Sequence, residues 1–189
     1  QRVQNGFLGG VFVDTPNSNV VIGDNTISGE DVGVHLIGSG VVVRSNRIGT
    51  NDFGEHGSVP GQLGNRVGIA LVPGSGAIIG GAAGVGNPIS DNRVAGVWSE
   101  GTNGAEISWN EIGPASSPPG AVQRIGNGDS GIDLGGGTTD VEVVSNAISL
   151  NGGAGVRVDG PTSFANRILQ NDIHANGRKG ISLTNGGNG

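Results

Sequence analysis

The sequence predicts an all-β fold, a parallel β-helix (β-solenoid) of about seven coils, two of which carry longer loops. Two short words repeat and interleave along its 189 residues. The first is Gly-apolar-x-apolar, which begins at Gly10, Gly33, Gly68, Gly96, Gly131, Gly155 and Gly180. The second is Asn-x-Ile, which begins at Asn25, Asn46, Asn87, Asn110, Asn146 and Asn171. Self-similarity at a period of about 20–50 residues is the mark of a solenoid.

The words themselves predict short strands. Apolar residues alternate with other residues, which is the period of a β-strand. Val and Ile dominate the apolar positions and suit a pleated sheet. Short strands joined by turns in every repeat are typical of a β-helix, whose coils pair in parallel about 4.8 Å apart. One copy, Gly96-Val97-Trp98-Ser99, lacks its last apolar residue.

The recurring Asn residues predict a side-chain ladder. An Asn at one corner of a coil can hydrogen-bond the Asn at the same corner of the next coil and so satisfy a buried turn. Asn also tolerates the left-handed conformation that such corners need. The predicted structural ladder contains Asn25, Asn46, Asn87, Asn110, Asn146 and Asn171.

Coils two and four are the long ones, and each has its extra residues after the Asn-x-Ile word. Polar excursions at 50–61 and 114–120 account for the extra length. Gly33 and Gly96 lie 63 residues apart, a spacing that recurs one coil later and indicates duplication of a two-coil unit. We therefore expect both excursions to leave the same edge of the helix. In the third coil, residues 80–84 are expected to replace a strand by a loose turn.

Composition excludes several other classes of protein. The 40 Gly residues do not fall at every third position, which excludes collagen. With no Cys, the chain has no disulfide framework or thiolate metal site. A net charge of −6 with ten scattered basic residues argues against a nucleic-acid partner. No apolar run is long enough to predict a membrane span.

We expect a single β-helix domain over residues 1–189, uncapped at both ends. An open coil end presents unpaired strand edges, and no amphipathic helix is encoded to cover them. Two interpretations remain open for the partner at those ends. Either the chain is cut from a longer β-helix, or its ends stack head to tail on other copies.

Three segments resemble the repeats of bacterial secreted proteins with right-handed parallel β-helix (pectate-lyase-like) repeats. They are Asn46-Arg47-Ile48-Gly49-Thr50-Asn51, Ile79-Gly80-Gly81-Ala82 and Asn87-Pro88-Ile89-Ser90-Asp91-Asn92-Arg93-Val94-Ala95-Gly96-Val97. The resemblance implies a right-handed helix and secretion. It does not specify an activity, because the same repeats serve lyases, epimerases, tailspikes and adhesins.

The third position of the Gly word predicts an outward column on successive coils. The column contains Phe12, His35, Ala70, Trp98, Asp133, Arg157 and Ser182. Its candidate ligand-binding residues are His35, Trp98, Asp133 and Arg157. Trp can stack on a sugar ring, while Asp and Arg can bind hydroxyls or an acid group. The alternative is an ordinary surface column with an Asp133–Arg157 ion pair.

A second candidate face consists of Glu106, Glu142 and Arg167, in the column four residues before the ladder Asn, which also takes in Ala83. Adjacent carboxylates can raise a pKa for glycoside chemistry or hold a cation. The alternative is charge compensation by Arg167. Ca²⁺ is compatible with such a pair but not indicated, and no cofactor is predicted. No metal site is predicted either, since the three His residues occupy different repeat positions.

These features predict a secreted or cell-surface β-solenoid with a structural or adhesive role. It would be a segment or subunit of a surface or filamentous assembly, with polysaccharide as its ligand. One alternative is a polysaccharide lyase or epimerase acting on acidic glycans at the Trp98–Asp133–Arg157 face. The other is a phage-type receptor-binding rod. Whether the chain is an enzyme is left open, with a non-enzymatic role favoured.

Overall fold

A computed structural model of the chain describes residues 9–16, 19–51, 53, 63–74, 76–114 and 126–189. Its strands in chain order are β1 (Gly9–Val13), β2 (Val21–Gly23), β3 (Thr26–Ile27), β4 (Val32–Leu36), β5 (Val42–Arg44), β6 (Arg47–Ile48), β7 (Val67–Leu71), β8 (Ile78–Gly80), β9 (Pro88–Ser90), β10 (Ala95–Glu100), β11 (Glu106–Ser108), β12 (Glu111–Gly113), β13 (Ile132–Gly135), β14 (Glu142–Val144), β15 (Ala147–Ser149), β16 (Val156–Asp159), β17 (Arg167–Leu169), β18 (Asp172–His174) and β19 (Ile181–Thr184). No helix in this part of the chain is long and apolar enough to cross a membrane.

The strands form three parallel sheets that together make the predicted β-helix. Among the described residues, sheet A has the order β1-β4-β7-β10-β13-β16-β19, sheet B the order β17-β14-β11-β8-β5-β2 and sheet C the order β18-β15-β12-β9-β6-β3. Neighbours in each sheet come from successive coils, so their hydrogen bonds run along the helix axis. Six coils contribute one strand to each sheet, and β19 begins a seventh, which confirms the predicted fold.

The core is a column of aliphatic side chains enclosed by the three sheets. The Ile of the Asn-x-Ile word points into this core from sheet C. In several coils it is fully buried, for example Ile48 and Ile89. Ser99, the polar exception in the fourth Gly word, is also fully buried. Its hydroxyl lies 2.9 Å from Thr138 Oγ1, which donates in turn to the Gly135 carbonyl at 2.7 Å. Two hydroxyl groups whose hydrogen bonds are made within the core therefore take the place of the missing apolar side chain.

The glycine that begins the Gly word in each of the first six coils is required by close contact with the next coil. A Cβ at Gly96 would lie 2.7 Å from the Gly131 carbonyl oxygen, and one at Gly131 would lie 2.7 Å from that of Gly155. The same contact is 2.4 Å at Gly68. Each glycine thus packs directly on the backbone of the next coil, where a side chain has no room.

The predicted Asn ladder is present at the corner between sheets B and C. Each Asn before the last, Asn171, donates its backbone N–H and its side-chain amide to Oδ1 of the next Asn, for example Asn87 to Asn110 at 3.0 and 2.8 Å. The expectation that Asn takes the left-handed conformation at this corner was wrong, because none of the six Asn residues has a positive φ. In five coils the residue before the Asn takes that conformation: Asp24, Ser45, Trp109, Ser145 and Gln170. At this corner Asn is needed because its side-chain amide forms the ladder.

A second Asn ladder, which the sequence analysis missed, follows sheet C. It contains Asn65, Asn92, Asn127, Asn151 and Asn176. The signal was an Asn five residues after the first ladder Asn, as from Asn146 to Asn151. Insertions separate the two ladder positions in coils two and four, which hid the period.

The third coil differs from the sequence prediction. It keeps a sheet B strand, β8, which pairs with β5 and β11, and the turn that follows is simply longer. Ile78, not Ala83, therefore occupies the column of Glu106. The excursions of coils two and four lie mostly outside the described residues. Each nonetheless begins after a strand of sheet C, the first after β6 and the second after β12. This agrees with the expectation that both leave the same edge of the helix.

Candidate functional site on the outer face of sheet A

The outward column predicted from the Gly word is present in register on sheet A. Phe12 pairs with His35, His35 with Ala70, Ala70 with Trp98, Trp98 with Asp133, Asp133 with Arg157, and Arg157 with Ser182. Alternation within each strand turns these side chains away from the core. The four candidate ligand-binding residues thus lie on one face of one sheet, and their role in binding stays a prediction.

Asp133 and Arg157 form a two-point ion pair at the centre of this face. Arg157 Nε donates to Asp133 Oδ1 at 2.9 Å, and Nη2 donates to Oδ2. Nη1 lies 3.6 Å from Asp129 Oδ2. The hydrogen bond with Asp133 is the main cause that raises the pKa of Arg157 above its ordinary value. The Asp133 side chain is 9% exposed and that of Arg157 37%, so the fixed guanidinium still presents an edge to solvent.

An apolar depression of about 540 Å³ lies next to this ion pair. Its floor consists of Val32, Val67 and Ala70, which face outward yet are almost completely buried and pack against Trp98. Its walls include Trp98, Ile37 and Val72, which are partly exposed. An outward aliphatic floor of this kind is unusual for a solvated sheet face.

His35 belongs to the wall of the depression. It is 7% exposed, and its ring centroid lies 5.2 Å from that of Phe12 with the planes at 67°. Burial lowers the pKa of His35, because the charged imidazolium loses its hydration. The lowered pKa favours the neutral imidazole.

A second, polar depression of about 430 Å³ adjoins the first toward the last coils. Arg157 lines both depressions, and the polar one adds Asp129, Asp159 and Lys179. Asp159 Oδ1 accepts hydrogen bonds from Thr184 at 2.7 Å and Asn185 at 2.8 Å. These bonds lower the pKa of Asp159 and hold it ionised.

Sequence reasoning missed this polar depression, which we call the polar end of the face. Asp159 lies two residues after the column position of Arg157, so strand alternation returns it to the outer face. The column predicted from the Gly word contains only one outward position per strand. A second outward position, two residues later, would have revealed Asp159 and Thr184.

The second candidate face, on sheet B, is arranged as predicted. Glu106 pairs with Glu142, and Glu142 with Arg167. Arg167 Nη2 donates to Glu142 Oε2 at 2.9 Å, and Ser108 Oγ donates to Glu106 Oε1 at 2.6 Å. Each carboxylate thus has a partner within the protein, and for Glu142 that partner is the cation Arg167, which favours charge compensation there. Within the described ranges, no three His, Cys, Asp or Glu side chains lie close enough to hold a metal ion.

Comparison with known proteins agrees with this architecture. The family described as right-handed beta helix region matches residues 62–189. No curated protein and no solved structure matches the chain. The match covers most of the chain, including the strands that carry Trp98, Asp133 and Arg157, and the three parallel sheets have the topology of that fold. The chain belongs to the right-handed β-helix family.

Proposed function

We propose that this chain is a carbohydrate-binding β-solenoid with a structural or adhesive role outside the cell. The glycan would lie on the outer face of sheet A. The observation that carries the proposal is the position of Trp98, between an apolar depression and the Asp133–Arg157 ion pair.

The chemistry of these neighbours suits a sugar. One face of a pyranose is lined by C–H groups that pack on an indole, while its hydroxyls require directed donors and acceptors. Asp133 accepts and Arg157 donates in fixed directions, because each holds the other. A site fixed before binding loses little conformational entropy when the ligand arrives.

The test is a glycan array followed by calorimetry with the best ligand. The chain offers a matched control, since its only other Trp, Trp109, is exposed at the corner between sheets B and C. We expect Trp98→Ala to weaken binding by about tenfold or more, as loss of an aromatic contact of 1.5 kcal/mol or more would. Trp109→Ala should leave binding unchanged.

A second pair of variants separates the two candidate faces. Asp133→Asn removes the carboxylate that orients Arg157 and should weaken binding, whereas Glu142→Gln on sheet B should not. Equal effects of Trp98→Ala and Trp109→Ala, or loss of binding only in Glu142→Gln, would place the ligand elsewhere and defeat the proposal.

A lyase or epimerase acting on acidic glycans is the second candidate. The observation in its favour is the polar end, where Lys179 and Arg178 line a depression with Asp129 and Asp159. Abstraction of a proton next to a uronate carboxylate needs a base and a cation to stabilise the developing charge. Ultraviolet absorbance of unsaturated product from a panel of uronate polymers tests lyase action, and a changed ratio of uronate epimers, measured by nuclear magnetic resonance, tests epimerase action. Absence of both across the panel would remove that candidate.

Self-association is a further part of the proposed role. Ile181 and Leu183 on β19 are 45% and 56% exposed, at the last described strand of sheet A. We propose that another β-coil packs there. Sedimentation velocity over a range of concentrations should show association that Leu183→Asp removes; a monomer at all concentrations would contradict it.

A further inference from the structure

The outer face of sheet A changes its chemistry along the helix axis. In coils two to four the side chains that line the depression are mainly apolar: Val32, Ile37, Val67, Ala70, Val72, Val94 and Trp98, with His35, Arg66 and Glu100 as the polar members. In coils five to seven the outward side chains of the face are mainly charged or hydroxylated: Asp133, Arg157, Asp159, Lys179, Ser182 and Thr184. Arg157 lines both depressions, so the two halves form one continuous surface.

The apolar half is poorly matched to a bare sugar. A hydroxyl group that contacted only Val72, Ile37 and the aliphatic floor would lose its hydrogen bonds to water without replacement, which is unfavourable. Only near the charged side chains that also line the depression, Arg66, Glu100, Asp133 and Arg157, could a hydroxyl find new partners. One sugar ring stacked on Trp98 covers only one wall of a depression of about 540 Å³. That volume lies within the range of small-molecule pockets, roughly 300–1,000 Å³. An apolar group fits the remaining space better than further hydroxyls do.

We propose that the ligand is an amphipathic glycoconjugate, a sugar that carries an alkyl or acyl chain. The alkyl or acyl chain would occupy the depression between Ile37, Val72 and Trp98, and the sugar would contact Asp133, Arg157 and the polar end. This inference rests on the proposed carbohydrate-binding function and specifies its ligand class. Continuity of the apolar and charged halves is the reason to assign both groups to a single ligand.

The experiment is calorimetry of the whole chain with methyl and octyl β-glucosides and the corresponding β-glucuronides, below their micelle concentrations. Burial of methylene groups stabilises a complex, so we expect at least one octyl compound to bind at least about tenfold tighter than its methyl partner. 1-Octanol, which has the alkyl chain but neither a sugar nor a carboxylate that could pair with Arg157, should bind more weakly than that octyl glycoside.

The outcomes distinguish this inference from the proposed function. Equal affinity of methyl and octyl compounds would overturn the amphipathic ligand while leaving sugar binding intact. 1-Octanol binding as tightly as the octyl glycosides would overturn both, because the sugar would then contribute nothing. Failure of every octyl compound to bind, with glycans still bound on the array, would likewise overturn the amphipathic ligand alone.

Matched variants locate the surface that binds the alkyl chain of the ligand. Val72→Ser removes apolar contact from the depression and should lower octyl-glycoside affinity by about fivefold, with methyl-glycoside affinity unchanged. Val21→Ser makes the same change on the outer face of sheet B, where Val21 is 56% exposed, and should alter neither affinity. Ile37→Ser, on the neighbouring coil, repeats the test if Val72→Ser fails to fold. Unchanged octyl-glycoside affinity in a folded variant would overturn the assignment.

Discussion

Asn110 donates two hydrogen bonds to a single atom of Asn146. Its backbone N–H and its side-chain amide reach Asn146 Oδ1 at 2.9 and 3.0 Å. The same amide also donates to the carbonyl of Ile79 in the preceding coil at 2.8 Å. One buried side chain thus connects three successive coils, which explains why the position recurs as Asn through the repeat.

Asn110→Ala should therefore destabilise the helix strongly. It removes the acceptor for Asn87 and the donor to Ile79, and each buried group left unpaired costs about 1–3 kcal/mol. We expect the free energy of unfolding, from urea denaturation, to fall by about 2–4 kcal/mol. Asn25→Ala, at the exposed first rung, should cost less than about 1 kcal/mol. Equal losses would show that the ladder does not act through burial.

The two ladders show what sequence could and could not predict. The first was predictable, because six Asn-x-Ile words share one position relative to a buried Ile. The second has the same physical reason. Its five-residue distance from the first ladder is lost between Asn46 and Asn65 and between Asn110 and Asn127. Hydrogen bonds across coils do not depend on the length of the intervening loop, whereas a search for periodicity does.

Gly131→Ala should be destabilising although Gly131 has no positive φ. An added Cβ would lie 2.7 Å from the Gly155 carbonyl and 2.8 Å from the Asn151 amide. Neither can move without disturbing the next coil, and overpacking of this kind costs about 1–3 kcal/mol.

The matched control is Gly135→Ala on the adjoining strand, β13. An added Cβ there meets no atom within 4 Å, so we expect a change within about 0.5 kcal/mol or a small gain. Urea midpoints of both variants provide the comparison. If Gly131→Ala were as stable as Gly135→Ala, coil packing would not be the reason for glycine at this position.

Trp109→Asn should stabilise the protein. Trp109 is 48% exposed and has a φ of 60°, a conformation that costs most L-residues about 1–2 kcal/mol. Asn tolerates it, so the thermal midpoint should rise by about 2–4 °C. Glu111→Asn, on the exposed face of the next strand, removes a large side chain where φ is ordinary and should give no gain. A midpoint unchanged or lowered in Trp109→Asn would mean that the indole makes contacts worth more than the strain.

The candidate site was less predictable than the fold. Period and alternation in the sequence alone place Trp98, Asp133 and Arg157 in one column. They could not show that Val32 and Val67 form an outward floor, because the Gly word does not include the residue before its glycine. Nor could they show that His35 is buried against Phe12. Such features depend on how far neighbouring coils are offset, which the repeat does not encode.

The burial of His35 predicts a pH dependence of stability. Its pKa is lowered in the folded state, so the unfolded chain binds more protons once pH falls below the ordinary value of about 6.5. The contribution of neutral His35 is therefore complete above that pH and is lost as the pH falls toward the folded-state pKa. The slope for one proton is at most about 1.4 kcal/mol per pH unit.

Urea midpoints at about pH 7.5 and about pH 5.5, on either side of that ordinary value, measure the effect. His35→Phe keeps an aromatic ring against Phe12 but cannot be protonated, so its midpoint should fall less between the two pH values than that of the wild type. His174→Gln, which changes an exposed His beside Asp172, retains His35 and should show the greater fall. The same pH dependence in His35→Phe as in the wild type would assign the effect to another group and contradict the buried, neutral imidazole at the wall of the depression.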